Sequence, residues 1–198
     1  MRKIGLWLFV IVFLGITKGN AQQLDLQAQI DAAQEGTVIQ LEKGVYEGNI
    51  VITKSIILEG VEGTVLKSNA DEPTITIDNT SNVTIRNISI ETLGTGMTIR
   101  KANDIKLSNI NMENVDAGIK IYNAHDVLGS ELTIEGNTQH YSKKGNGIAI
   151  YESKSIELLE NDIRSVQDGF YIENVKDIII QGNTVTKSRY GTHFMYST

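Results

Sequence analysis

The sequence predicts an all-β fold, a parallel solenoid of short strands, and three observations carry that prediction. The segments "TITI", "GMTI", "GIKI", "GIAI", "GFYI" and "GTHF" begin at Thr74, Gly96, Gly118, Gly147, Gly169 and Gly191, at separations of 22, 22, 29, 22 and 22 residues. Within each repeat, apolar residues alternate with period two, as on a strand with one buried face. Between the apolar runs stand Asn, Asp, Ser and Gly, as in "DNTSN", "KANDI" and "NVKDI", which accept tight turns and left-handed backbone.

The repeat defines the coil. One and three residues after each start, the inward positions read Ile75/Ile77, Met97/Ile99, Ile119/Ile121, Ile148/Ile150, Phe170/Ile172 and Thr192/Phe194. Nine residues on stand Val83, Ile105, Val127, Ile156 and Ile178, and sixteen on stand Ile90, Met112, Ile134, Ile163 and Val185. Three short strands cannot bury their faces alone, whereas equivalent strands stacked along an axis bury a continuous core. A β-sandwich of hairpins would need no fixed register of 22 residues. Parallel crossovers are overwhelmingly right-handed, so the expected architecture is a right-handed, single-stranded parallel β-helix of the pectin-lyase-like kind, spanning residues 49–198. The rung glycines read as corner residues. Asn161 and Asn183 replace aliphatic residues fourteen positions after their repeat starts, and are expected to turn inward as an asparagine ladder.

The chain's start is organised differently. Arg2 and Lys3 precede the 13-residue apolar run "IGLWLFVIVFLGI", and Gly19 and Ala21 occupy the cleavage positions, so residues 1–21 read as a signal peptide. The run is shorter than the roughly 20 residues of a membrane span. An exported protein is expected, in a periplasm or on the outer side of the envelope, with no span in the mature chain. Residues 22–48 then hold a capping helix and first strand: "DLQAQIDAAQEG" places Leu26, Ile30 and Ala33 on one side, with Gly36 beyond. Such a helix would cover the core that a solenoid exposes at its first coil. Phe194 faces inward in the last coil, and a C-terminal part beyond Thr198 is expected.

Composition excludes several functions. The chain contains no cysteine, so neither disulfide staples nor thiolate chemistry is possible. Loss of Arg2, Lys3 and Lys18 with the leader leaves 15 basic against 24 acidic residues, a formal charge of −9. That balance disfavours nucleic acid as a partner. Hydrolase, lyase or epimerase chemistry needs carboxylates grouped on one exposed face. Two residues after each start the outward positions read Thr76, Thr98, Lys120, Ala149, Tyr171 and His193; four after, they read Asp78, Arg100, Tyr122, Tyr151, Glu173 and Met195. Asp78 and Glu173 are four coils apart, roughly 19 Å at the strand spacing, so a non-catalytic protein is expected.

The outward pair in the last repeat is different in kind. His193 and Met195 flank inward Phe194, about 7 Å apart on one face. An imidazole beside a thioether is a borderline-to-soft donor pair, the most copper-like combination in a chain without thiols. His125 lies in the turn "NAHDV". His140 lies in the seven-residue insertion, where a loop leaving a regular stack is a place for contacts.

The segments "GNGIAIYESKSIELLENDI", "QDGFYIENVKDIIIQGNTV" and above all "SRYGTHFMYS" resemble the NosD family of periplasmic accessory proteins for nitrous oxide reductase, and "GTVIQLEKGVYEGNIVITKSIILEG" is similar to that family's opening coils. Two departures stand out: Asn146 where the family usually has Asp, and Gln167 where it usually has Arg, which weakens any arginine contact expected beside Asp168. The resemblance implies a non-enzymatic accessory protein of a NosDFY-type ABC transporter system. Its implied partners are the transporter's permease and ATPase, a copper chaperone and nitrous oxide reductase, with copper bound transiently. On this resemblance His193 and Met195 are the candidate copper contacts, and Arg189, Tyr190, Tyr171, Glu173 and His140 the candidate partner surface. The alternative is an exported β-helix that binds or processes carbohydrate.

Overall fold

The computed structural model describes residues 25–69, 71–140 and 143–197; the expected signal peptide lies outside them. Inward residues one and three after each repeat start are stripped of water: Ile75, Ile77, Met97, Ile99, Ile148, Ile150 and Ile172 are all fully buried. Their strands, Ile50–Ile52, Ile75–Asp78, Thr95–Arg100, Ala117–Tyr122, Ile148–Tyr151, Asp168–Glu173 and Tyr190–Met195, pair in parallel as a seven-strand sheet. Register follows the repeat, with Ile119 opposite Met97 and Ile148, and Ile172 opposite Phe194.

An eleven-strand sheet makes the rest of each coil. The sequence suggested three short strands per coil. In the middle of the stack two of them join, giving Ser81–Glu91, Asn103–Val115 and His125–Gly136. In the middle of each long strand a left-handed residue bends the chain without ending its pairing: Asn87, Asn109 and Glu131, with φ of 58°, 50° and 53°. Val83, Ile105, Val127 and Ile156 and then Ile90, Met112, Ile134 and Ile163 fill the core behind them. The whole is a parallel β-helix of about 7 turns and about 22 residues per coil.

Two turn expectations meet different outcomes. The rung glycines are not corners: they lie at the start of seven-strand-sheet strands, and at Gly96, Gly118, Gly147 and Gly169 a Cβ has no room. On Gly169 it would stand 2.6 Å from the Gly191 carbonyl oxygen and 2.6 Å from Val185 Cγ1. The corners just after these strands are Asn79, Lys101, Asn123, Glu152 and Asn174, at φ between 48° and 53°. The asparagine ladder forms as expected. Asn161 Oδ1 accepts from the Leu132 N–H at 2.9 Å, and its Nδ2 donates to the Gly129 carbonyl at 3.1 Å and to Asn183 Oδ1 at 2.8 Å.

The capping helix spans Leu26–Ala32, with Asp25 as N-cap accepting from the Gln27 N–H. It buries Leu26 and Ile30 against the first coil. Gln27 also acts as a substitute strand. Its amide donates to the Val51 carbonyl at 3.1 Å and accepts from the Val51 N–H at 2.7 Å, satisfying the edge of the seven-strand sheet. Lys54 Nζ closes the helix's other end through the carbonyls of Asp31 and Ala33, at 2.7 and 3.1 Å.

Candidate functional site

The strand Tyr190–Met195 lies on Asp168–Glu173, with Tyr171 opposite His193 and Glu173 opposite Met195. Since Phe170 and Ile172 point into the core, these four side chains share the outward face. His193 and Met195 are both half-buried. The Met195 carbonyl accepts from the Asn174 N–H and from the Ser197 hydroxyl, each at 3.0 Å, which fixes its backbone.

The strongest polar feature of this end is one that the sequence did not single out. Asp168, directly before rung glycine Gly169, is fully buried. Arg189 grips it bidentately, Nε donating to Oδ1 at 2.9 Å and a terminal nitrogen to Oδ2 at 2.7 Å. His193 Nδ1 lies 3.2 Å from the same Oδ2. The Asp168 N–H is bound by Asn146 Oδ1 at 3.2 Å. Burial by itself would raise this carboxyl; the hydrogen bonds from Arg189 and His193 outweigh it and hold the group below the usual carboxylate range. Gln167 therefore does not deprive Asp168 of an arginine, because the next coil supplies one.

A signal for Asp168 was present. The rung position before the glycine reads Ala117, Asn146 and Asp168 in successive coils, a position that starts a buried strand. A carboxylate there must find partners. What the repeat could not reveal is that the partners come from two different offsets of the following coil.

Aromatic rings frame the histidine. Tyr171 and Tyr190 meet the His193 ring edge-on, at centroid distances of 5.2 and 5.4 Å. The Arg189 guanidinium lies 4.9 Å over the Tyr190 ring. Below, Tyr122 and Tyr151 stack at 4.9 Å with only 7° between their planes, and Tyr151 leans on Tyr171 at 5.6 Å. Burial raises the Tyr122 and Tyr151 hydroxyls. Tyr171 donates to Glu173 Oε2 at 2.9 Å, and that bond is the main cause raising its own hydroxyl.

Arg189, Tyr190, Tyr171, Glu173, His193 and Met195 thus belong to one end of one face. His140 lies on a different segment. It is exposed on the insertion, which leaves the stack after Asn137 and rejoins it at Gly145. Backbone bonds run from Gln167 N–H to the Gly145 carbonyl and from Arg189 N–H to the Gln167 carbonyl, at 2.9 and 2.7 Å. The insertion therefore emerges on the edge that carries Arg189, two coils earlier. His125 is exposed elsewhere and contacts Asp126 at 2.9 Å.

Two acidic residues are neighbours in register on another face. Glu91 and Glu113 are register partners in the eleven-strand sheet, a face the outward positions of the rung did not sample. Glu91 is bound by Lys67 at 2.7 Å, and Glu113 accepts from Asn111 at 3.0 Å. Among the described residues, no three His, Asp or Glu side chains are grouped to hold a metal ion. The His193 end does offer donor types that copper accepts, an imidazole nitrogen and a thioether sulfur.

Comparison with known proteins accords with this architecture. A family model described as "Periplasmic copper-binding protein (NosD)" matches residues 34–198. No curated protein matches the chain. Among solved structures, one similar fold is a Parabacteroides merdae protein provisionally called a glycosyl hydrolase (TM-score 0.70, 12% identity, 81% of this chain and 86% of that one). A second is the family 28 exopolygalacturonase of Yersinia enterocolitica (TM-score 0.68, 12% identity, 85% of this chain); this chain covers 51% of the polygalacturonase. A third is an alginate lyase of a Paenibacillus species (TM-score 0.62, 15% identity, 86% of this chain and 65% of the lyase). At these identities the likeness is one of fold.

Proposed function

This chain belongs to the NosD family, whose members are described as periplasmic copper-binding proteins, and on that premise we propose that it is an exported, non-catalytic protein that handles copper as cargo through His193 and Met195. In this reading Tyr190, Tyr171, Arg189 and Glu173 form the rim of the copper contact. His140, on the same edge, belongs to the surface that meets partners. Those partners are the permease and ATPase of an ABC transporter, a copper chaperone and nitrous oxide reductase, with the protein acting on the periplasmic side. No helix among the described residues is long and apolar enough to cross a membrane.

The observation that carries the reading is the shared outward face of the imidazole and the thioether in a family described by copper. Softness favours Cu(I) for the sulfur, and a half-exposed two-donor contact suits an ion that must be received and released. Carbohydrate binding or processing, the runner-up, draws on likeness of fold alone. In the tyrosine column Tyr122 and Tyr151 each spend one ring face on the other.

Anaerobic Cu(I) titration against a chromophoric competitor tests the assignment. The double variant His193→Ala, Met195→Ala is expected to bind roughly a hundredfold more weakly, about 2.7 kcal/mol. Equal affinity discards the pair, and metal-independent retention on a glycan array would move the assignment to carbohydrate.

A further inference from the structure

Resting on the copper reading of His193, we infer that Asp168 is a positioning residue that fixes the ring's tautomer and aims Nε2 outward as the ligand atom. The sequence raises Asp168 only through an arginine contact that Gln167 weakens, and nothing in the family description assigns it a role toward His193.

The argument begins with what a carboxylate can do. Asp168 has a fully buried side chain gripped by both nitrogens of an arginine fork. A carboxylate in that grip is acceptor-only. The group 3.2 Å from its Oδ2 is His193 Nδ1, so Nδ1 must carry the proton whether the ring is neutral or cationic. In the neutral ring that leaves the lone pair on Nε2. The two nitrogens lie on opposite sides of the imidazole, so a ring pointing Nδ1 at a buried carboxylate points Nε2 away from it. A histidine ligand whose second nitrogen donates to a carboxylate is the usual way a protein sets tautomer and ring orientation together.

The rest of the cluster makes the aim rigid. Arg189 occupies lone pairs on both oxygens, and Asn146 fixes the backbone at Asp168. Tyr171 and Tyr190 press on the ring edge-on and restrict its rotation. Asp168, Arg189 and His193 come from two successive coils, so the stack itself assembles the device. His125, by contrast, contacts an exposed carboxylate, that of Asp126.

Nitrogen-15 NMR of the histidine rings tests this on the full chain without metal. With only three histidines in the sequence, the His193 signals are assigned by loss in His193→Ala. The expected result is Nδ1 protonated and Nε2 bare in the neutral ring. Finding Nε2 protonated, or an even mixture, overturns the inference without any variant. Asp168→Ala then serves as the second arm, because it removes the acceptor of the Nδ1 proton and leaves the ring free to take the Nε2–H form that an unconstrained histidine favours. The variant should show that tautomer change and a roughly 10- to 100-fold loss of Cu(I) affinity, with a circular dichroism spectrum like the wild type's. A folded variant with unchanged tautomer or unchanged affinity overturns the inference; if the variant does not fold, the wild-type spectrum decides it. The copper reading fails separately, when His193→Ala binds Cu(I) as the wild type does while the tautomer is as expected.

Discussion

The first and last described coils both present an edge of the seven-strand sheet, and different contacts hold them. At the first, a helix lays Leu26 and Ile30 on the core, and Gln27 occupies the hydrogen bonds that Val51 would give to another strand. At the last, inward Phe194 is 53% exposed and Tyr190 52% exposed, while the polar grip of Arg189 and His193 on Asp168 holds the strand to the coil beneath. The first end is held by apolar burial with a generic amide cap. The second is held by charged hydrogen bonds to a single buried carboxylate, and the donor pair proposed for copper stands there. Order at that end depends on a few specific contacts, so a change in one of them should alter the donor geometry without dissolving the stack.

The largest expected contrast lies between two register partners, Ile172 and Phe194. Ile172 is fully buried, so Ile172→Ala removes packed methyl groups and leaves a cavity, for a loss of about 2–5 kcal/mol. Phe194→Ala, one coil later at the same inward position, removes a ring already half in water and should cost less than about 1.5 kcal/mol, the lower range for burying an apolar side chain. Urea midpoints of the two variants measure the difference. Equal losses would mean that Phe194 is covered in solution.

Acid should act on the last coil first. The Asp168 carboxyl is held below its ordinary range in the folded state, so its contribution is fully present above that range. As pH falls through the range and then through the lowered folded value, the unfolded chain takes the proton before the folded one does, and stability is lost. Hydrogen exchange at the amides of Asp168–Glu173 and Tyr190–Met195 should therefore accelerate below the ordinary carboxylate range before that of Ile75–Asp78. In Asp168→Asn this acid step should be absent. A wild-type profile that matches the variant's would remove the carboxylate from the account of how this end is held.

The difference between the ends also explains what could be read in advance. Ile75 to Ile172, the strand order and the asparagine ladder follow from a repeat length, because each coil meets the next in register and burial is a local alternation. The capping helix was legible for a similar reason, since Leu26 and Ile30 are one helical turn apart. The corners were read in part: the turn segments "DNTSN", "KANDI" and "NVKDI" do hold left-handed residues, Lys101 among them, whereas the rung glycines are not corners, and Gly96, Gly118, Gly147 and Gly169 serve clearance between coils. Asp168 escaped because its significance depends on Arg189 and His193, which lie at different offsets of the neighbouring coil. No periodic reading pairs unlike positions. The outward face of His193 and Met195 was legible, while the buried carboxylate behind the imidazole was not.

The smallest expected effect tests the first end by itself. Gln27→Ala removes both amide hydrogen bonds to Val51 and leaves Leu26 and Ile30 in place, so the loss should be about 1 kcal/mol, read as a shift in urea midpoint. Gln27→Glu keeps an acceptor for the Val51 N–H and sets an oxygen against the Val51 carbonyl where a donor had been. If the cap works as a substitute strand, Glu should be no better than Ala, since the gain at one bond is offset by repulsion at the other. If Gln27 serves only as a helix surface residue, Glu should match the wild type, and the edge must then be held by Leu26 and Ile30 alone. Neither substitution should alter Cu(I) affinity, because the two ends are joined only through the stacked core between them.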